Sequence, residues 1–295
     1  MLPDPALRAV YGKATWLYVY RDFSGSESDR RAERVLLRLG VSSWPQHFLV
    51  DPTTWETLAD TGRSKESFLR AFEQARVAGR GAPDAHRRLR DAEARAIALE
   101  EGGSVALAQK GIDDEDIVVR NRALAILAKR DVKSIAKRAL RLLEVENDPF
   151  RYEVCRILKE QADPDSASAL CGIVREPKGS RNPNVLRIRA VEALGTCGTA
   201  DSVEAIAPFA ASGEYFNGLT GISIDALVAI AARHPKTKGA VRATLKRGYP
   251  VPPADGEARA MAACTALARK IHAALGEKGA FPDPYDGRAR EKLMR

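Results

Sequence analysis

The residues able to carry covalent or redox chemistry are few and poorly spaced for it. The four cysteines, Cys155, Cys171, Cys197 and Cys264, lie 16, 26 and 67 residues apart. Those separations fit neither a C-x-x-C dithiol nor a zinc-ligand set. Each cysteine sits among helix-forming apolar residues, as in "YEVCRIL" and "ASALCGIV", so four reduced, buried thiols are expected. No catalytic, cofactor-binding or metal-ligating residue is assigned. What remains is the chemistry of recognition. Lys133, Lys137, Arg138 and Arg141 crowd one short segment, Tyr215 and Phe216 sit in the Gly-flanked stretch "GEYFNG", and Trp44 precedes Pro45. Cations attract acidic partners, and aromatic side chains anchor interfaces.

These residues must be positioned by a chain of 295 residues, 45% hydrophobic and 29% charged, an ordinary balance for a water-soluble protein. The net charge of +8 admits an acidic protein or nucleic acid as partner, but the 39 acidic residues are spread along the whole length. A generally charged, soluble surface is therefore expected. No apolar run approaches the roughly 20 residues needed to span a bilayer. The start, "MLPDPALRAVYGKATW", lacks a basic stretch leading into an apolar core. A cytoplasmic protein without membrane contact is the expectation.

Two kinds of sequence meet near residue 82. Before it lie all three tryptophans and several strand-like runs; after it the chain is rich in Ala, Leu and Arg with helical spacing. The second region repeats. Arginine, a small apolar residue three positions on, and leucine four beyond that occur as Arg120, Ala123, Leu127, as Arg151, Val154, Leu158, and as Arg187, Ala190, Leu194. Weaker copies are Ser223, Ala226, Ile230 and Arg259, Ala262, Ala266, with offsets of 31, 36, 36 and 36 residues. Spacings of three and four put each set on one helical face.

Second helices lie between the copies, as in "DVKSIAKRALRLL". There Val132, Ile135, Ala139, Leu140 and Leu143 make the expected apolar stripe, leaving Lys133, Lys137, Arg138 and Arg141 to solvent. Asp131, Asp165 and Asp201 are the expected helix-start acceptors. Each unit is then a helical hairpin of about 30 to 36 residues that buries its apolar face only by stacking on its neighbours.

This pattern, carried by "DIVVRNRALAILAKRDVKSIAKRAL", "DPFRYEVCRILKEQADPDSASALCGIV" and "NVLRIRAVEALGTCGTADSVEAIAPFA", resembles the short bacterial type of HEAT repeat. The resemblance covers roughly residues 100 to 275 and implies an α-solenoid serving as a binding scaffold. Arg120, Arg151 and Arg187 have two readings: a ladder for anions, or, as the resemblance implies, ties to a neighbouring aspartate or helix end. A few HEAT-like folds act on extruded DNA bases, a task needing aromatic residues beside a basic groove. The repeat region has no tryptophan.

The first region reads β-α-β-β-α. Its parts are "ATWLYVYRDF", a helix in "SESDRRAERVLLRLGV" with Ala32, Val35, Leu36 and Leu39 on one side, the strands "QHFLVDP" and "WETLADTG", and a helix from Ser64. This resembles the C-terminal portion of the thioredoxin-like fold. The resemblance implies a cis peptide at Trp44–Pro45 that presents backbone groups to a bound peptide. The turn that would hold the dithiol, "RDFSGSESDR", has serines, and disulfide exchange requires a thiolate. Either the strand at 15–22 is the first core strand with the edge strand deleted, and the module is redox-inactive, or it is the fold's second strand and a dithiol lies upstream of Met1. The expected organisation is mainly α: a partial α/β thioredoxin-like domain at 1–82, a HEAT-like solenoid at 83–278 and a loosely ordered tail at 279–295. The function expected is a non-enzymatic protein-binding scaffold. The alternatives are a redox protein whose dithiol lies upstream and a nucleic-acid-binding solenoid.

Overall fold

A computed structural model describes residue 19 and residues 26–41, 47–51, 57–61, 64–78, 85–145, 147–215, 217–251 and 258–276. Among these the chain is mainly helical, with thirteen α-helices and one two-stranded sheet. No helix among them is long and apolar enough to cross a membrane. By contacts the chain divides into two compact units, Met1–Asp131 with Asn147–Phe150, and Val132–Glu146 with Arg151–Arg295. The expected change of character near residue 82 lies outside the described residues. So do Trp44, Pro45, Phe216, the tail and, except for Val19, the expected first strand.

The first unit contains α1 (Glu27–Arg38), β1 (Phe48–Val50), β2 (Thr57–Asp60), α2 (Lys65–Ala78), α3 (Ala85–Gly102), α4 (Val105–Gly111) and α5 (Ile117–Arg130). Ser26 caps α1 by accepting from the Asp29 N–H at 3.1 Å. At the other end Gly40 adopts φ +62°, and the Val41 and Gly40 N–H groups close back on the Leu36 and Leu37 carbonyls. That left-handed turn suits glycine. β1 and β2 pair antiparallel with Phe48 opposite Asp60 and an irregularity between Leu49 and Val50. α2 packs onto both strands, with Phe68 buried and Leu69 and Phe72 beside it.

The buried side of α1 departs from its expected apolar stripe. Ala32 and Leu39 are buried, but Val35 and Leu36 are only half-buried, and Asp29 and Arg34 are buried with them. The reason is ionic. The Arg34 side chain, 6% exposed, lies 2.6 Å from a Glu93 oxygen and 3.2 Å from Glu27. Arg38 reaches Glu93 and Asp116 at 3.2 and 3.3 Å, and Arg122 reaches Glu100 and Glu33 at 2.6 and 3.1 Å. Three guanidinium groups thus join α1 to α3 and α5. The Asn147 amide adds a buried bond to the Leu37 carbonyl at 2.7 Å.

Breaking a buried ion pair by removing one member costs about 3–5 kcal/mol, because the other charge stays buried. Glu93→Gln, which takes from the buried Arg34 its nearest carboxylate, is therefore expected to lower stability in urea by about 3 kcal/mol. Arg31→Met, which removes only an exposed pair with Glu27, should change it by less than about 1 kcal/mol. Equal effects from the two substitutions would remove the ionic account of this packing.

The second unit contains α6 (Val132–Leu143), all but the first turn of α7 (Asp148–Gln161), α8 (Ala167–Arg175), α9 (Pro183–Cys197), α10 (Ser202–Ala210), α11 (Gly218–Arg233), α12 (Lys238–Arg247) and α13 (Ala258–Leu275). Its helices pack in two series. In one, α6 touches α8, α8 touches α10 and α10 touches α12; in the other, α9 touches α11 and α11 touches α13. The expected inward pairs Val154 and Leu158, Ala190 and Leu194, and Ala226 and Ile230 are all buried, as are Ala123 and Leu127 in the first unit.

Three expectations need correction. On α6 Leu140 is 64% exposed and Leu142 is buried instead. Ile135, Ala139 and Leu142 follow the four-then-three spacing of one face, while Leu140, five residues after Ile135, turns away from it. On α13 Ala262 and Ala266 are exposed, and Cys264, Leu267, Ala268 and Ile271 are buried. The bulkier set fixes the face, so the 36-residue offset stops before this helix. Third, Asp201 makes no side-chain cap bond, and Asp163, not Asp165, caps the turn before α8. A short 3-10 turn, Pro164–Ser166, moves the free N–H groups two residues upstream.

Candidate partner-binding surface

The recurrent arginines are turned inward, onto main-chain carbonyls. Arg120 donates to the Asp114 carbonyl just past α4. Arg151 donates to the Glu144 carbonyl just past α6 at 3.3 Å and to that of Lys178 at 2.6 Å. Arg187 donates to the Val174 carbonyl in the last turn of α8 at 3.1 Å and lies over the Phe209 ring at 5.5 Å. The last carbonyls of a helix lack intrahelical partners and carry partial negative charge. A guanidinium, with five donors in a rigid fork, suits them. These side chains are engaged at helix ends, so no exposed anion ladder forms from them.

A second group of such bonds escaped the sequence reading. Arg130, the last residue of α5, donates to the Gly103 carbonyl beyond α3. Thr196 near the end of α9 donates to Lys159 near the end of α7 at 2.9 Å. Arg233, the last residue of α11, donates to the Gly195 carbonyl near the end of α9 at 2.7 Å. The available signal was the cation in the final turn of α5 and of α11. Where the motif position is Ser223, fully buried, Gly248 packs against the end of α10. Gly248 lies so close that a Cβ there would stand 2.1 Å from the Ala210 carbonyl oxygen.

The cysteines are structural. All four are buried and free. Burial pushes the Cys155 thiol up to about 12. Burial also raises Cys197, outweighing its bond with Ser166. The Cys197 thiol donates to the Ala193 carbonyl at 3.2 Å, and that of Cys171 to Ser202 at 3.5 Å. Nucleophilic attack needs an accessible thiolate. The native protein should therefore leave a disulfide reagent such as DTNB unreacted at pH 8 while the unfolded chain reacts at four thiols; one rapidly reacting native thiol would contradict this burial.

The outward residues are placed as follows. Lys133, Lys137 and Arg141 are exposed on α6, with Leu140 between them. Arg138 is half-buried and donates to the Ser134 carbonyl one turn back at 3.2 Å. Tyr215 is half-buried. Trp44, Pro45 and Phe216 lie outside the described residues.

The sequence reading also missed an open groove of about 830 Å³ between α10 and α12. Its floor is made of small side chains, Val203 and Ala207 on α10 with Ala240, Ala243 and Thr244 on α12. Asp201 and Glu204 stand on the α10 side, and Lys236, Lys246 and Arg247 on the α12 side. No ion pair joins the two sides among the described residues. The same residues contain no cluster of three His, Cys, Asp or Glu able to hold a metal ion. Comparison with family models, with curated proteins and with solved structures finds no match to this chain.

Proposed function

We propose that the chain is a non-enzymatic scaffold, a HEAT-like repeat protein with a redox-inactive thioredoxin-like module, that binds a protein partner through its second helices. The observation that supports this most is the unbroken series α6, α8, α10, α12 and what it leaves outside. Lys133 and Lys137 on α6, and Lys236 and Lys238 at the start of α12, are exposed. None of the four has a carboxylate partner among the described residues. Hairpins that depend on neighbours to bury their apolar faces present an extended binding surface. The order α1, β1, β2, α2 is consistent with the last part of a thioredoxin-like module. The deeply buried thiols of the second unit favour binding over redox work.

Cross-linking in cells of the wild type and of a K133E/K137E/K238E variant tests the reading. The variant is expected to fold with an unchanged thermal midpoint and to lose the proteins the wild type captures. An identical set of captured proteins would refute the role of this face.

The same unpaired cations favour nucleic acid as a second reading. Neutralised phosphates give affinity that falls steeply with salt. Anisotropy of a labelled DNA duplex across 50–300 mM salt should show no such binding if the protein-scaffold reading holds, and a steep salt dependence if it does not.

A further inference from the structure

The groove between α10 and α12 has a polarity that narrows what it can accept. Lys236, Lys246 and Arg247 belong to a stretch without an acidic residue from Ala226 to Ala254. Their wall therefore has no local counter-charge. Glu204 lines the same groove from α10, and no ion pair joins it to these cations among the described residues. A trough lined by small residues such as Ala207 and Ala243 accepts the ridge of a third helix, since ridges of side chains pack into grooves between rows.

A separate observation concerns the α10 wall. Pro208 lies inside α10, and proline has no N–H. The Glu204 carbonyl therefore lacks its i+4 donor. It leaves α10 with a main-chain acceptor that has no helical donor.

We propose that the groove docks an amphipathic helix of a partner protein. Small residues of that helix seat on the Ala207 and Ala243 floor, its carboxylates face Lys236, Lys246 and Arg247, and a lysine or arginine on its other flank faces Glu204. This deepens the scaffold reading and rests on it, because it assigns the chemistry of the partner on the same helix series. Two-sided charge matching sets the orientation of the bound helix and rejects a reversed one, as like charges brought together across an interface are strongly unfavourable.

The test uses the full chain and a fluorescein-labelled 18-residue helical peptide of alanine, glutamate and lysine. The peptide has an alanine ridge, glutamates along one flank and lysines along the other, and binding is read by anisotropy. Saturable binding is expected, weakened at least tenfold by K246E/R247E and unchanged by K129E, an exposed cation on α5 outside this helix series. Glu204→Lys provides the sharper readout: it should weaken this peptide at least fivefold and tighten an all-glutamate version. If Glu204→Lys tightens both peptides, or single-stranded DNA competes as well as the peptide, the groove is a generic anion site and the proposal fails. Self-association of the chain that K246E/R247E abolishes would assign the groove to a second copy and also overturn it. Absence of peptide binding while K133E/K137E/K238E still loses its cellular partners would overturn the groove assignment and leave the scaffold reading standing.

Discussion

Helices this short leave many ends in each unit, and every end carries carbonyl groups without partners. Satisfying those carbonyls is the constraint on which the rest of this structure depends. Arg120, Arg151 and Arg187 do so after α4, α6 and α8. Arg130, Thr196 and Arg233 do so for α3, α7 and α9. Arg242 continues the theme at Leu275, the last residue of α13, at 3.1 Å. The apolar contacts between these helices are made largely by alanine and leucine, which pack well but do little to specify which helix end lies beside which. A guanidinium that must find a carbonyl from another turn of chain supplies that specification.

This use of arginine shapes the surface as well. The net charge of +8 suggests a broadly basic protein, but many arginines are turned inward, to helix ends or, for Arg34, Arg38 and Arg122, to carboxylates of neighbouring helices. The cations exposed on the second helices are of both kinds, Lys133, Lys137 and Lys238 with Arg141, Arg175, Arg242 and Arg247. Their concentration on α6 and α12, and the acidic Glu204 between, give that side a pattern of charge and not a uniform field. Such a pattern favours discrimination among protein partners over indiscriminate binding of polyanions.

Much of the helical framework was legible because it is written in spacing. Val154 with Leu158 and Ala190 with Leu194 obey the 3.6-residue period, and a residue three or four positions away is a neighbour on any helix. The exceptions have physical reasons. Alanine satisfies a small-apolar pattern on any face, so Ala262 and Ala266 looked inward when the larger Leu267 and Ile271 set the face. The link between Arg34 and Glu93 joins positions 59 residues apart, and no periodicity relates them. Gly248 gives no sequence sign of its close approach to Ala210. The groove was hidden for the same reason, since its walls come from separate helices and its floor is alanine. Lys133, Lys137 and Arg141 were placed correctly as outward residues because they occupy the polar side of a strongly two-sided helix, whereas Arg138 bends back to its own backbone.

Arg151 is where the central claim is most exposed to test, as its side chain is 2% exposed and bridges two carbonyls from different turns of chain. Urea unfolding followed by circular dichroism, comparing Arg151 with Arg151→Met and Arg151→Lys, measures what that bridge contributes. Methionine keeps most of the volume but donates nothing, and hydrogen bonds to charged groups contribute about 1.5–3 kcal/mol each. The account predicts a loss of about 3 kcal/mol for methionine and a smaller loss for lysine, which can reach one carbonyl but not both. A methionine variant that unfolds at the wild-type midpoint with the same slope would contradict it, and would assign the stacking of these hairpins to apolar packing alone.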